Sequence, residues 1–219
     1  MTTKVPKSSK TQNISALVLV ITWIVAVFVY PALPERVASH WNAFGLVDGY
    51  TGRWGGAFYI PLLVTFLTVI LTYLPHLDPR HDNIKKFRQE YDRFILFLVL
   101  FLNWLYLFTL LWNLGYPIPI NLFLAPALAL LLMAMSQVME HTQSNWLIGV
   151  RTPWTLSNDR VWKKAHQFAA KAYKIAAALI ILTALGPQVV TTFVSVIAIL
   201  GASLATVIYS YVLYQQESS

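Results

Sequence analysis

Cysteine is absent from the 219 residues of this chain. Its absence excludes a disulfide framework, a thiolate nucleophile and a metal site built on cysteine sulfur. Charge is also scarce, since Asp, Glu, Lys and Arg make up 11% of the residues, against about 25% in a typical soluble domain. So small a charged fraction indicates a membrane protein.

Apolar and aromatic residues are abundant instead, at 57% and 14% of the chain. Six apolar runs each approach the roughly 20 residues that an α-helix needs to cross about 30 Å of hydrocarbon. The runs are Ile14–Leu33 and, approximately, Ala57–Leu74, Phe94–Leu114, Ile118–Val138, Phe168–Leu185 and Val189–Leu213.

Helices are the structure that these runs predict. The stretch "ILFLVLFL" in the third run lacks the apolar–polar alternation of a membrane β-barrel strand. The first run exceeds the 7–15 residues of a signal-peptide core, and no clean cleavage site follows it, so we expect it to span the membrane. Gly115-Tyr116-Pro117 and Gly186-Pro187 predict tight turns of two helical hairpins. We therefore predict an all-α integral membrane protein with six transmembrane helices.

Lysine and arginine are distributed unevenly between the predicted loops. With the N-terminus placed inside, fourteen of the 16 basic residues fall on the inner side, and only Arg36 and Arg53 fall outside. Such an asymmetry predicts cytoplasmic N- and C-termini. It also accounts for the net charge of +7 without a nucleic-acid partner.

The predicted organisation has three parts. Residues 1–13 form a cytoplasmic tail, and residues 14–90 form an N-terminal membrane hairpin whose extracellular loop is the first polar segment, residues 33–56. Residues 91–219 form a four-helix membrane region that contains the second polar segment, residues 145–174, on the cytoplasmic side.

The first polar segment is too long for a plain turn. Its possible binding residues are His40, Asn42, Gly45, Asp48 and Tyr50. An alternative is an ordered loop held by Asx turns and by an aromatic belt of Trp41, Tyr50 and Trp54. One His, one Asp and one Asn make a poor ligand set for a transition metal, so we expect no metal site.

The second polar segment interrupts the apolar pattern between the fourth and fifth runs. Gly149 and the Thr152-Pro153 step predict a helix break, and Ser157 is a plausible N-cap for a new helix with Asp159 in its first turn. The helical spacing then places basic residues on one stripe and aromatic residues on another. The stripe comprises Arg160, Lys163, Lys164, Lys171 and Lys174.

We call this stripe the basic ridge. Electrostatic anchoring to the membrane surface explains the ridge well, because each Lys or Arg beside an anionic leaflet contributes roughly 1 kcal/mol of attraction. Anchoring does not explain why Arg151, Trp162 and His166 are present. We expect Trp162 and His166 to lie on an inward face. We expect the planar fork of Arg151 to tie the loop after the fourth run by bonding helix-end carbonyls or a neighbouring polar group. A lone His on a helix face is more often packed than catalytic, so no catalytic residue is predicted.

Both polar segments resemble a known family. "GVRTPWTLSNDRVWKKAH" resembles the signature of the SdpI family of bacterial toxin-immunity membrane proteins, and "LPERVASHWNAFGLVDGY" resembles the uncharacterised domain that often precedes it. The residues of the second segment that match the signature are Asn145, Gly149, Arg151, Thr152, Pro153, Trp154, Thr155, Trp162 and His166.

The resemblance implies six membrane helices and protection of the cell against a secreted, membrane-active peptide toxin. It also implies a possible sensing role, in which a cytoplasmic transcriptional repressor is held at the membrane. No catalytic activity or cofactor is implied.

Two other functions stay open on the residues alone. The first alternative is a small transporter or channel, although the runs hold only Asn103, Asn121 and aromatics where a transporter usually carries ionisable groups. The second is a membrane-embedded enzyme at the inner headgroup level, which would need His166, His141 or Glu140 beside Arg151 and has no HExxH-type motif.

Overall fold

The computed structural model describes residues 9–218. In chain order its elements are α1 (Lys10–Val29), β1 (Arg36–Trp41), β2 (Val47–Gly52), α2 (Arg53–Tyr73), α3 (His81–Lys85), α4 (Arg88–Asn113), α5 (Ile120–His141), α6 (Pro153–Ser157), α7 (Asp159–Thr183) and α8 (Gln188–Ser218). Short 3₁₀ turns at Tyr30–Ala32 and Leu74–Leu77 follow α1 and α2.

Within the described part of the chain, five helices are long and apolar enough to cross a membrane. They are α1, α2, α4, α5 and α8, and each overlaps most of one of five predicted runs. This confirms a mostly helical, multi-pass membrane protein. The remaining run, Phe168–Leu185, lies largely in α7, whose charged first half keeps it outside that group.

Helix α7 nevertheless lies alongside the membrane-length helix α5. At one end, the Asn121 side chain near the start of α5 donates to the carbonyls of Ala184 and Gly186, at 2.9 Å each. Toward the other end, Val138 and Ala169 belong to the same buried cluster. Helix α7 therefore covers nearly the full depth of α5 within the bundle.

The helices pack as two groups of three. Helices α1, α2 and α4 contact one another, α7 contacts both α5 and α8, and α4 joins α5. Small side chains line the contact between α5 and α7, including Ala125, Ala129, Ala176 and Ala177. Such residues let helix backbones approach closely where lipid leaves no hydrophobic drive for association.

A β-hairpin is the main departure from the all-α prediction. Strands β1 and β2 pair antiparallel within the first polar segment, with irregular register around His40. Val37 and Ala38 are buried against the bundle, while Gly45 supplies the left-handed turn at φ +78°. The strands are only six residues each and mix small with polar residues, which explains why no alternating pattern predicts them.

The two polar segments lie at opposite ends of the bundle. The β-hairpin contacts the C-terminal end of α4 and the start of α8. The second segment begins after the last residue of α5 and packs against the α2–α3 connection. All the described basic residues of the predicted inner side lie toward this second end. Lys4 and Lys7 of the predicted tail lie outside the described residues.

Candidate functional site

Asn145 organises the loop that follows α5. Its side chain is fully buried and makes four hydrogen bonds. The amide nitrogen donates to Thr142 Oγ1 and to the carbonyl of Gln143, at 3.2 and 2.7 Å. The amide oxygen accepts from the backbone N–H groups of Leu147 and Ile148, at 2.9 and 2.7 Å. One buried side chain thus satisfies two backbone donors of the loop.

The connection between α2 and α4 holds the same loop from the other side. Buried Asp78 accepts a hydrogen bond from the backbone of Trp146 at 2.8 Å. Arg80 donates to Ser144 Oγ, and Asn83 donates to the Ser144 carbonyl at 2.7 Å.

Sequence reasoning missed these partners. Arg80 entered the predictions only as one of the fourteen basic residues of the inner side. No role was predicted for Asp78, Asn83 or Ser144. The one sequence signal was a carboxylate directly after an apolar run, which does not by itself indicate its target.

Gly149, Trp162 and His166 form a close-packed core beneath the loop. The rings of Trp162 and His166 stack with centroids 4.1 Å apart, and both residues are buried. The Trp162 indole donates to the Thr142 carbonyl at 3.2 Å. Gly149 adopts φ +121°, and a Cβ there would lie 2.4 Å from His166 Nε2. Only glycine fits this position without displacing the histidine.

Both ring nitrogens of His166 are engaged by the backbone. Nε2 accepts from the N–H of Val150 at 2.9 Å, so Nδ1 carries the proton and donates to the Trp162 carbonyl at 2.8 Å. Burial lowers the pKa of His166 to about 4. The ring is therefore neutral near pH 7 and positions the loop, with neither nitrogen free to act on a substrate.

The Thr152–Thr155 stretch builds a single helical turn, α6. Thr152 and Thr155 form a reciprocal capping box, and Pro153 occupies the first turn, where its missing N–H costs nothing. Trp154 then reaches α8, where its indole donates to Ser210 Oγ at 2.6 Å and its ring meets Tyr211 edge-on. The motif therefore ties α5, α7 and α8 together.

Helix α7 begins one residue later than predicted. Asn158, and not Ser157, is the N-cap, and its Oδ1 accepts from the N–H groups of Arg160 and Val161. The amide of Asn158 reaches both donors, whereas the Ser157 hydroxyl bonds back to the Trp154 carbonyl. Asp159 does lie in the first turn, as predicted.

The basic ridge is partly neutralised by carboxylates. Glu217 near the end of α8 pairs with both Arg160 and Lys164, at 2.9 Å each. Glu140 at the end of α5 pairs with Lys174 at 2.9 Å. Lys163 and Lys171 have no carboxylate within 4.0 Å among the described residues. Part of the ridge therefore joins helices to one another in addition to facing headgroups.

Arg151 does not share the buried face. Its side chain is exposed and donates through Nη1 to the Trp146 carbonyl at 2.5 Å. Trp162 and His166 lie on the buried face, as predicted. The predicted tie of Arg151 to the loop is present, and it lies at the surface.

The first polar segment is stabilised differently, mainly by local contacts. His40 Nδ1 and Asp48 Oδ1 lie 2.5 Å apart across the strands, and both side chains are largely exposed. Asn42 closes an Asx turn by accepting from Phe44 and Leu46. The ring of Tyr50 packs beneath the Arg36 guanidinium at 3.9 Å.

The bundle holds this hairpin at a few points. Asn113 of α4 bonds the N–H and the carbonyl of Ala38, at 2.7 and 3.0 Å. Trp41 packs edge-on against Phe108 and Trp112. The hairpin thus has a fixed base and an exposed, partly apolar tip.

The nine motif residues of the second segment surround one folded loop, whereas the residues of the first segment lie at the far end of the bundle. No group of three or more metal-ligating side chains occurs among the described residues. The molecule is a multi-pass helical membrane protein with a separate polar structure at each end.

Comparison with known proteins agrees with this architecture. The model of the SdpI/YfhL protein family matches residues 142–212, and the model of a domain of unknown function (DUF1648) matches residues 17–65. Immunity protein SdpI of Bacillus subtilis (strain 168) is 25% identical over 207 residues, which cover 94% of this chain and 97% of that protein. No solved structure matches the chain. The resemblance to the SdpI family, predicted from the two motifs, is confirmed.

Proposed function

We propose that this protein is a membrane immunity protein that protects its cell from a secreted, membrane-active peptide toxin. The observation that carries the proposal is the similarity to Immunity protein SdpI, which extends across 94% of the chain and so includes both polar segments.

The proposed topology has six membrane helices in the cytoplasmic membrane, with both termini inside. The uneven distribution of Lys and Arg supports the orientation. The packing of α7 along α5 supports a sixth crossing, because the hydrogen bonds of Asn121 hold the end of α7 level with the start of α5. The charged first half of α7 then lies at the inner headgroup level.

The hairpin tip is the proposed meeting point with the toxin. Phe44 and Leu46 expose about two thirds of their surface at the turn, at 67% and 65%, beside the polar pair of His40 and Asp48. An amphipathic peptide needs both apolar and polar contacts at a membrane surface. The exposed tip provides both kinds.

The second polar segment would report toxin binding to the cytoplasm, with a transcriptional repressor as the proposed partner. Such signalling requires two arrangements of the bundle that toxin stabilises differently. Helix α8 is suited to link the ends, because Thr192 near its start bonds the hairpin at Ala43 and Ser210 near its end bonds Trp154. A catalytic role for His166 is not favoured, since both its nitrogens are occupied.

Survival of toxin-sensitive cells tests the proposal. Cells producing the protein are exposed to candidate killing peptides, and survival is measured beside membrane potential. We expect the protein to preserve both, and Phe44→Ser with Leu46→Ser at matched membrane expression to lose protection. Equal killing of cells with and without the wild-type protein, across peptides that depolarise the control cells, would contradict the proposal.

A further inference from the structure

A polar cavity lies beside the motif loop, where the membrane-length helices end. It has a volume of about 230 Å³, and its walls include Asn83 and Lys86 before α4, Ser144 after α5, and Trp162 and Lys163 on α7. The cavity opens two residues before α4 begins and directly after α5 ends, which is the level of lipid headgroups.

Two lysines that line this cavity have no carboxylate within 4.0 Å among the described residues. Lys86 donates to the neutral amide oxygen of Asn83 at 3.0 Å, and Lys163 has no carboxylate within 4.0 Å among the described residues. Their sequence neighbours differ, since Lys85 pairs with Asp82 and Lys164 pairs with Glu217. The cavity thus brings together two ammonium groups that have no close carboxylate partner.

The balance of charge in the cavity indicates the kind of ligand. Asp159 also lines it, so two ammonium groups and one carboxylate leave one net positive charge. A singly charged anion matches this balance better than a polyphosphate does. Lysine ammonium groups are common partners of phosphate oxygens, and the cavity has room for a phosphate and part of its substituent.

We propose that this cavity binds the phosphodiester group of an anionic phospholipid, held between Lys86 and Lys163. The site is distinct from the diffuse attraction of the basic ridge, because it uses lysines from two separate elements around one cavity. A bound headgroup would join the α2–α4 connection to the start of α7 beside the Trp162–His166 core. This proposal does not depend on the immunity function.

Ligand-induced stabilisation of the purified full-length protein tests the site. Unfolding midpoints in a neutral detergent are measured against rising concentrations of short-chain phosphatidylglycerol, inorganic phosphate or diacylglycerol, which lacks the phosphate. A ligand that binds only the folded state raises the midpoint with its concentration. We expect phosphatidylglycerol to raise the midpoint and diacylglycerol to leave it unchanged.

Matched variants separate the site from general charge. Lys86→Gln with Lys163→Gln should weaken the apparent affinity for phosphatidylglycerol on the order of tenfold or more. The control, Lys85→Gln with Lys164→Gln, removes the same charge outside the cavity and should change affinity less than about twofold. Lys86→Arg with Lys163→Arg should retain binding, which guards against a fold defect in the Gln pair.

Two outcomes would overturn the site, and a third would identify a soluble ligand in place of a lipid. Equal weakening in both Gln pairs, or no stabilisation by phosphatidylglycerol in the wild-type protein, would overturn the site. Stabilisation by inorganic phosphate that matches that by the lipid, and that the cavity pair alone abolishes, would support the phosphate chemistry and assign the ligand to solution.

Discussion

Asn42 and Asn145 have the same local role at opposite ends of the molecule. Each side-chain oxygen accepts hydrogen bonds from two nearby backbone N–H groups. The bonds of Asn42 lie at the surface of the hairpin, whereas Asn145 is fully buried. Loss of the side chain should therefore have different consequences at the two positions. Water can take the place of the Asn42 acceptor at the surface, and it cannot take the place of the buried Asn145 acceptor.

The same difference distinguishes the two polar segments as a whole. The hairpin fixes its base to α4 and leaves polar and apolar side chains exposed at its tip, as a binding surface requires. The second segment buries most of its motif residues and uses them to hold three helices and a loop in one arrangement. Its motif is thus mainly structural in the state described, and only its exposed residues are accessible to partners.

The largest difference is expected between the two asparagines. Asn145→Ala strands the N–H groups of Leu147 and Ile148, which we expect to cost about 3–4 kcal/mol of unfolding free energy. Asn42→Ala should cost about 1 kcal/mol, since water satisfies the freed donors. Denaturation in detergent measures both, and similar losses for the two variants would contradict the comparison.

A second pair of variants separates backbone strain from close packing. Gly149→Ala places a Cβ against His166 in a left-handed conformation, for an expected loss of about 3 kcal/mol. Gly115 also adopts a left-handed conformation, at φ +94°, with nothing within 4 Å of an added Cβ. Gly115→Ala should therefore cost only about 1 kcal/mol. Equal unfolding midpoints would show that the contact with His166 is unimportant.

Acid should weaken the second segment through His166. Below pH 6.5 the unfolded chain takes up a proton at this residue, while the folded state resists protonation until about pH 4. The free energy of unfolding should therefore decrease as the pH falls through this window, and this residue should contribute about 2 kcal/mol of the decrease. Unfolding measured between pH 7 and 4.5 should show a flatter profile for His166→Gln than for the wild type. Parallel profiles would count against the buried neutral ring.

The smallest effect is expected at Arg151. Its bond to the Trp146 carbonyl is exposed, so Arg151→Lys should cost less than about 1 kcal/mol. From the sequence alone, this variant was expected to behave like Trp162→Ala. Thermal unfolding of Arg151→Lys beside Trp162→Ala distinguishes these expectations. Similar decreases in the unfolding midpoint would favour the expectation from sequence that the two variants behave alike.

Composition and apolar runs predicted most of the fold because lipid requires long, internally bonded helices. The hairpin was not predicted, since Val37 and Ala38 are buried by contacts with α4 that no local pattern encodes. The motif residues were found from their resemblance to a family. Their roles were not, because the partner of Trp146 is Asp78, 68 residues away. The positive φ of Gly149 was likewise not visible in the spacing.

Thiol labelling in intact cells tests most directly the claim that the two polar segments face opposite sides of the membrane. The chain lacks cysteine, and Ser39 and Ser157 are both exposed, so single replacements by cysteine report the side and not burial. We predict that an impermeant reagent labels Ser39→Cys in intact cells and labels Ser157→Cys only after permeabilisation. Labelling of Ser157→Cys in intact cells, with Ser39→Cys protected, would contradict the account.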